Sequence, residues 1–381
     1  MTRSTRWAGC ALLAVAWLSA CGQDPGPQAG SDFAQLAQAV DGFEQAHPGL
    51  ALVFPRDHGP HPGYRIEWWY LTANLQDAGG NPYGGQWTLF RLAGRPPGSE
   101  AAANPWHGGQ VFMAHMALTW PQGHAGFQRY ARGGDHAGIA QAGAQATPFA
   151  AWLDDWSLRS IDSDWLPLQL EARQGDMALS LHLDSELPLV LQGERGFSQK
   201  HPNGSGSFYY SHPFLQARGT LTIHGQNIPV SGQAWLDREW SSQFLQPDQS
   251  GWDWFALHLD SGEKLMLFQL RHKPGARAGE NFRHGLLLSP RGEATVLPGD
   301  QIHFEPQAFT RVAGRQLPMR WRISLPAIGR TLDLSALRPD QWMAVDFAYW
   351  EGVVRIIGSD DKTTGWGYLE MTGYPTVDGM D

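Results

Sequence analysis

The strongest constraint on the fold is that the chain repeats itself. The segment "ARGTLTIHGQNIPVSGQAWLD" aligns without a gap with part of "YWEGVVRIIGSDDKTTGWGYLE". Three glycine pairs in this alignment are 133 positions apart (352 − 219, 358 − 225, 365 − 232): Gly219 and Gly352, Gly225 and Gly358, Gly232 and Gly365. Upstream, "WWYLTANL" resembles "WDWFALHL", which matches Trp68 with Trp252 and Leu75 with Leu259. Internal repetition on this scale predicts two related structural units.

The sequence that contains these repeats has a pattern typical of β structure. After His47 and Pro48 it consists of short alternating runs that are interrupted by Gly, Pro, Asn and Asp, as in an all-β sandwich or barrel. We therefore predict two antiparallel β domains, over residues 49–243 and 244–381. The first domain contains the long segment "GERGFSQKHPNGSGSFYYSHP", which is either a functional loop or a simple surface insertion.

The first 48 residues are predicted to be a leader and a tether. Arg3 and Arg6 precede a short apolar segment that ends in "LSAC". Residues 1–20 are predicted to be a lipoprotein signal peptide and Cys21 to be lipidated, and a plain cleaved signal with an incidental cysteine is the alternative. Residues 21–48 would then be a tether containing one helix over "SDFAQLAQAVDGFEQA".

Composition narrows the class of partner. The formal net charge of −9 argues against nucleic acid, and no later segment has the character of a transmembrane span. We expect an anchored protein of the cell envelope that faces the periplasm, at the outer membrane rather than the inner, because Gly22 follows the cysteine where Asp would favour inner-membrane retention. The 18 tryptophans are compatible with core packing or with an aromatic-walled cavity.

The first candidate site lies in "RIEWWYLTANL". A period of two places Glu67 on the apolar face, and Trp68 and Tyr70 on the other face. A buried carboxylate needs a partner, and Arg91 in the next strand is the obvious one. The pair is either a structural ion pair or a carboxylate with a tuned pKa at a cavity mouth, with Glu67 as a possible acid.

The second candidate site is "AWLDREW". Asp237 and Glu239 share one face, and Arg238 and Trp240 share the other. At a predicted domain junction this cluster either orients a ligand or transfers a proton, with Asp237 as acid, or forms an interdomain salt-bridge network.

Further candidates are aromatic or imidazole side chains on neighbouring strands. Trp252 and Trp254 share a face of "WDWFALH" with His258, and His115 leaves the apolar face of "FMAHMALTW". Each histidine is either a proton shuttle or a satisfied structural residue. The sequence has no nucleophile elbow, zinc-protease motif, Walker loop or Rossmann fingerprint, and its 15 histidines lack metal-ligand spacing, so we predict neither a metal nor a cofactor.

A set of motifs resembles one known family. "EWWYLTANL", "HMALTW", "WLDDW", "FYYSHP", "WLDREWSSQ" and "WDWFALHLDSGEKLMLFQLR" are similar to segments of the family that groups AttH-type lipoproteins with hydroxyneurosporene synthase, a carotenoid 1,2-hydratase. The resemblance implies two lipocalin-like β-barrel domains. Hydratase members of that family add water across an isoprenoid double bond by acid catalysis in an aromatic pocket, without a cofactor, and the resemblance implies this activity as one possibility.

The chain departs from the hydratase pattern at the expected acid. That pattern places a His-x-Trp pair at positions 238 and 240 and a Tyr-x-Asp pair at positions 268 and 270. This sequence has Arg238 with Trp240, and Phe268 with Leu270. In these positions the chain is similar to the family members that are lipoproteins encoded beside exporter-type ABC transporters. This resemblance implies a role in the cell envelope.

The resulting functional prediction is an envelope lipoprotein that binds a hydrophobic or amphipathic small molecule or lipid and is accessory to an ABC-type exporter permease. The first alternative is a cofactor-free hydro-lyase or cyclase of the carotenoid 1,2-hydratase type on an isoprenoid-like substrate. The second alternative is a ligand-free transporter scaffold. The predicted ligand-binding side chains are those named above: Glu67, Trp68, Tyr70, Arg91, His115, Arg238, Trp240, Trp252 and Trp254.

Overall fold

The computed structural model describes residues 40–98, 109–133, 141–275, 280–358 and 362–377. Within these ranges the protein is all-β, with two antiparallel sheets. The helices described there are single 3-10 turns, none of them long and apolar enough to cross a membrane: Arg56–His58, Gly299–Gln301 and Pro326–Ile328.

The first sheet has 13 strands. They are β1 Ile66–Gln76, β2 Pro82–Ala93, β3 Gln110–Trp120, β4 Gly123–Arg132, β5 Ala142–Ala146, β6 Phe149–Leu153, β7 Trp156–Ser160, β8 Leu168–Gln174, β9 Met177–Asp184, β10 Val190–Leu191, β11 Phe197–Gln199, β12 Gly206–Ile223 and β13 Gln226–Ser241. Its strand order is β4-β3-β2-β1-β13-β12-β9-β8-β7-β6-β5. Strands β10 and β11 pair with β12, so the long segment before β12 is in part an attached ribbon.

The second sheet has 10 strands. They are β14 Gln249–Leu259, β15 Lys264–His272, β16 Phe282–Leu288, β17 Ala294–Leu297, β18 His303–Val312, β19 Arg315–Leu325, β20 Arg330–Ala336, β21 Trp342–Met343, β22 Tyr349–Ile357 and β23 Thr363–Met371. Its order is β17-β16-β15-β14-β23-β22-β20-β19-β18, with β21 beside β22. The chain crosses from one sheet to the other between Ser241 and Gln249, close to the predicted boundary.

Each sheet curls around a core made of its own side chains. The first core contains Trp69, Leu71 and Trp87, and the second contains Phe255, Trp321 and Trp350. A single sheet can enclose such a core only by curving back on itself, which is the geometry of a barrel. The prediction of an all-β fold with two lipocalin-like barrels is confirmed.

The duplication is visible in the strand order. The path from β17 to β18 in the second sheet has the same order of nine strands as the path from β4 to β7 in the first. The duplication is also visible in the register, because Leu75 lies opposite Gly232 in β1 and β13, and Leu259 lies opposite Gly365 in β14 and β23. These are the pairs that the sequence alignment matches.

The gap-free alignment is wrong for the preceding strand. Gly219 in β12 lies opposite Val230, whereas Gly352 in β22 lies opposite Leu369. The two glycines occupy equivalent strands at different heights. The physical reason is the turn: Ile223 pairs directly with Gln226 in the first hairpin, whereas Ile357 pairs with Thr363 in the second.

The predicted N-terminal helix lies largely outside the described residues. Its last part, residues 40–46, forms a turn and extended chain instead. Gly42 has φ +89°, a left-handed conformation that interrupts a right-handed helix, and Phe43 is buried. Cys21 and the signal peptide also lie outside the described residues.

The two barrels pack closely at one glycine of β2. A Cβ atom built on Gly84 would lie 2.5 Å from the Tyr368 hydroxyl and 2.5 Å from Cγ2 of Val353, both in the second sheet. The absence of a side chain at Gly84 therefore allows β2 to approach β22 and β23 closely.

We predict that Gly84→Ala lowers the free energy of unfolding by about 1–3 kcal/mol, because overpacking forces the two barrels apart. Chemical denaturation measures this change. Gly79→Ala is the matched control, since its Cβ would meet only the ends of the Asn81 and Asp77 side chains, at 3.2 Å. Equal stability of Gly84→Ala and the control would contradict the interface.

Candidate functional site

A cavity lies between the two barrels, outside both cores. Its walls come mainly from β1, β2 and β13 of the first sheet and from β14, β15 and β23 of the second. The lining side chains are predominantly aromatic or carboxylic: Trp68, Tyr70, Phe90, Tyr209, Asp237, Glu239, Phe244, Trp252, Trp254, Phe268, Phe347, Tyr349 and Glu370, with Ile66, Leu92, Met113, Lys200 and Leu270 between them. The cavity has a volume of about 110 Å³, which is room for several waters or an apolar group.

Strand alternation explains why these residues face the cavity. In β1, the face with Trp69 packs the first barrel core, so Trp68 and Tyr70 point outward to the second barrel. In β14, Phe255 packs the second core, and Trp252 and Trp254 point back. The predicted alternation is confirmed for both strands, and the outward faces are buried against each other.

The rings pack edge to face across the junction. The Trp68 and Phe244 centroids are 4.3 Å apart, and those of Phe244 and Trp252 are 5.4 Å apart. Tyr70 meets Trp254 at 5.4 Å with an interplanar angle of 80°. Aromatic pairs of this geometry are rigid and apolar, so they favour a ligand with hydrocarbon or ring character.

Two buried carboxyl groups lie side by side at the cavity, where Glu370 belongs to the lining and Glu351 is its neighbour. Glu351 lies directly opposite Glu370 in the sheet. The Tyr70 hydroxyl donates to Oε1 of Glu351 at 2.5 Å, and Nε1 of Trp252 donates to Oε1 of Glu370 at 3.0 Å. Oε2 of Glu351 is buried and has no hydrogen-bond partner in the described structure.

Burial raises the pKa of both Glu351 and Glu370 well above the ordinary glutamate value. The proximity of Glu351 raises the pKa of Glu370 further, because two adjacent carboxylates repel each other. The pair therefore holds at least one proton near neutral pH, next to an aromatic wall. A neutral carboxylic acid in such a place can donate a hydrogen bond or a proton.

A second carboxyl arrangement occupies the equivalent place in the first barrel. Asp237 accepts hydrogen bonds from the Ser211 hydroxyl and from Nε1 of Trp235, the latter at 2.8 Å. Burial raises the pKa of Asp237 from 3.8 to about 7, although the hydrogen bonds oppose this shift.

Lys200 is a basic side chain in the cavity wall. Its Nζ lies 2.9 Å from Oε1 of Glu239, 4.3 Å from the centroid of Phe268 and 5.0 Å from that of Tyr209. The cavity wall thus already contains an ammonium group that contacts aromatic faces and one carboxylate.

A separate ion network lies on the opposite face of β13. Both oxygens of the fully buried Glu67 are engaged, one by Arg91 and the other by Arg238. Burial alone would raise the pKa of Glu67, but the two guanidinium groups outweigh burial and lower it. Arg238 also stacks over Trp69 at 3.8 Å, and His61 stacks on Trp240 at 3.8 Å with a 5° interplanar angle. Glu67 is therefore an ionised residue of a structural network.

The predicted site residues divide between these two faces. Trp68, Tyr70, Asp237, Trp252 and Trp254 line the cavity. Of the two alternatives for Glu67, the structure has the ion pair with Arg91 and not the cavity mouth. Period-two alternation turns Glu67, together with Arg91, Arg238 and Trp240, to the other side of the sheet. The ligand-binding and catalytic roles themselves stay predictions.

The predicted histidine His115 lies directly behind the cavity wall. Its Nδ1 is 2.9 Å from the hydroxyl of Tyr349, which lines the cavity. Burial lowers the pKa of His115 to about 4, so the ring is neutral near pH 7.

Sequence reasoning did not select Glu351, Glu370 or Lys200. For Glu370 a signal was present, since the repeat aligns it with Asp237. For Glu351 the sequence alignment was misleading, because an offset of 133 matches it with residue 218. In the structure its counterpart is Ser211, since the register of the hairpin is shifted.

Comparison with known proteins identifies the family to which this architecture belongs. A profile described as AttH-like matches residues 45–374. The chain belongs to the AttH-like family. A crystal structure of an AttH protein from Nitrosomonas europaea is 35% identical, with a TM-score of 0.74, and the match covers 87% of this chain and all of that one.

The fold of this AttH-like protein is shared more widely. Kievitone hydratase from Nectria haematococca has a TM-score of 0.62 at 18% identity, with 89% of this chain and 98% of that chain covered, which shows a common fold. No curated protein sequence matches this chain.

We predict that Asp237→Asn flattens the pH dependence of stability. The native state retains the Asp237 proton that the unfolded chain loses near pH 3.8. This contribution is fully present below that pH and is lost as the pH rises through about 7. The free energy of unfolding of Asp237→Asn should therefore fall less than that of the wild type across this interval, as measured by urea denaturation. The exposed Asp162→Asn is the control and should follow the wild type.

Proposed function

We propose that this AttH-like protein binds an uncharged apolar or amphipathic molecule in the cavity between its barrels. The observation that carries the proposal is the lining itself, in which ten aromatic side chains face one enclosed space with polar groups at few positions. The barrel interiors are less suitable, because their own tryptophan, leucine and methionine side chains fill them.

The polar groups of the cavity favour an uncharged ligand end. Burial raises the pKa values of the lining residues Asp237 and Glu370, which favours their protonated forms, while Glu239 is paired with Lys200 at 2.9 Å. A carbonyl or hydroxyl oxygen of the ligand can accept a hydrogen bond from such an acid without the burial of a new charge.

We predict that Trp68→Ala weakens ligand binding by about 2 kcal/mol, or roughly 30-fold in Kd, because a large apolar surface is lost from the wall. Fluorescence titration with the uncharged probe N-phenyl-1-naphthylamine measures this. Trp120→Ala is the matched control, since Trp120 is half-buried at the far end of β3 and does not line the cavity. If both variants bind like the wild type, the ligand does not occupy this cavity.

A second candidate function is a cofactor-free hydro-lyase, which the Glu351 and Glu370 pair favours. In this reaction, Glu370 donates its proton to one carbon of an alkene. A positive charge forms on the neighbouring carbon, where surrounding rings stabilise it. Water then adds to that carbon, and the proton released by the water returns to the carboxylate. The hydratase fold of the Nectria protein supports this candidate by analogy of fold alone.

Of the two predicted acids, the structure favours Asp237 over Glu67, and Glu370 becomes a further candidate. Glu67 is ionised and engaged by two arginines on the other face of the sheet, whereas Glu370 and Asp237 both line the cavity with raised pKa values. Phe268 and Leu270 also line it, so the positions of the hydratase-type pair face the same space. The acid of this protein would thus enter that space from β23 or β13.

We predict for the hydro-lyase candidate that Glu370→Gln lowers product formation by at least about 100-fold, because a glutamine cannot donate the proton, while probe binding is preserved. The assay is incubation with an uncharged isoprenoid alkene in ¹⁸O-water, followed by mass spectrometry of the alcohol. Loss of product in Asp237→Asn alone would assign the acid to Asp237. Absence of labelled alcohol from the wild type would leave binding as the function.

The envelope assignments are proposals of a different kind. Lipidation of Cys21, a periplasm-facing location and partnership with an ABC-type exporter are supported by the leader sequence and by the resemblance to AttH-type lipoproteins. The aromatic-walled cavity argues against a ligand-free scaffold.

A further inference from the structure

Three potential metal ligands from distant parts of the chain meet beside the cavity. They are His201 in the turn between β11 and β12, Asp248 in the segment between the two sheets, and His272 at the end of β15. One ligand atom from each lies within 4.8 Å of the others. Oδ2 of Asp248 is 3.2 Å from Nε2 of His201 and 3.4 Å from Nδ1 of His272.

His272 is the observation that points to a ligand. Its side chain is only 6% exposed, yet neither ring nitrogen has a hydrogen-bond partner in the described structure. Its Nδ1 lies at a salt-bridge distance from Asp248 without hydrogen-bond alignment. A buried imidazole with both nitrogens unsatisfied is costly, and a metal ion between His272 and Asp248 would remove part of that cost.

The spacing of the donor atoms fits a coordination shell. Zinc bonds to imidazole nitrogen and carboxylate oxygen are about 2.0–2.2 Å long, so neighbouring ligands in a tetrahedral shell lie roughly 3.4 Å apart. The two distances to Asp248 have this size. Two imidazoles and one carboxylate select a borderline transition ion over magnesium or calcium.

We propose that His201, Asp248 and His272 bind one divalent transition-metal ion of the zinc type, with the fourth position open to water. Solvent has access through His201 and Asp248, whose side chains are 13% and 29% exposed. The site is separate from the carboxyl groups of the cavity and does not depend on the proposed ligand.

One contact must change when the ion binds. The backbone N–H of Asn203 donates to Nδ1 of His201 at 3.2 Å, which places the imidazole proton on Nε2. Coordination through Nε2 moves the proton to Nδ1 and breaks this hydrogen bond. The turn at residues 201–204 is largely exposed, so the Asn203 amide can rotate to solvent.

The ion would link the two barrels. His201 belongs to the first sheet, His272 to the second, and Asp248 to the connection between them. His201 also follows Lys200, whose ammonium group lines the cavity. Metal binding therefore holds the Lys200 side of the cavity wall against the second barrel.

The test uses the full-length protein after chelator treatment and dialysis. Cobalt(II) is titrated while its visible absorption is recorded, and zinc binding is measured by calorimetry and by competition with bound cobalt. The variants are His272→Gln, Asp248→Asn and His201→Gln. His224→Gln is the matched control, because His224 forms an exposed pair with Asp176, at 3.8 Å, and no second histidine joins them.

We expect the wild type and His224→Gln to bind one equivalent with the absorption of four- or five-coordinate cobalt, and zinc to raise the unfolding temperature of both. Each of the three variants should weaken binding by at least about 10-fold while retaining its near-ultraviolet circular dichroism. Absence of stoichiometric cobalt binding by the wild type would overturn the proposal. If folded His272→Gln and Asp248→Asn bind the metal with the same affinity as the wild type, the proposal is overturned too, because the metal is then an adventitious ion only.

Discussion

The structure depends on two antiparallel strand pairs that are buried on both faces, β1 with β13 and β14 with β23. In most barrels one face of each strand meets the core and the other meets water. Here the outward faces of the central strands meet each other, so Trp68 and Trp252 are held between two barrels. This double burial places side chains that would otherwise be solvated, above all the carboxyl groups, in an apolar environment, and both the cavity and its chemistry follow from that placement.

The same constraint explains why the buried carboxyl groups of the central strands behave in opposite ways. On one side of the sheet, Glu67 is matched by two guanidinium groups and stays ionised. On the side that faces the second barrel, Asp237, and across the junction Glu370, have no arginine partner among the described residues, and burial raises the pKa values of both. Residues that are neighbours along β13, such as Asp237 and Arg238, therefore belong to two different groups, one that lines the proposed ligand cavity and one that holds the strands together.

Much of the fold was predictable because its signals are local or repeated. Alternation identified the strands and their faces, and the repeat of Leu75 with Gly232 in Leu259 with Gly365 identified the duplication. The candidate site was only partly predictable. Period two separates Glu67 from Trp68 correctly but cannot say which face meets the second barrel. The meeting of His201, Asp248 and His272 depends on the packing of a turn, a linker and a strand end, and no spacing in the sequence records it.

The shifted register of the second hairpin has a consequence for how the cavity is used. It sets Ser211 opposite Asp237 in one barrel and Glu351 opposite Glu370 in the other, although the surrounding strands are equivalent. The near-twofold architecture thus encloses an asymmetric space, because the neighbour of Asp237 is a hydroxyl and the neighbour of Glu370 is a second carboxyl. A guest molecule with a distinct head and tail would therefore meet different groups at the two equivalent positions, which favours one orientation over the other, a property that two identical barrels could not provide.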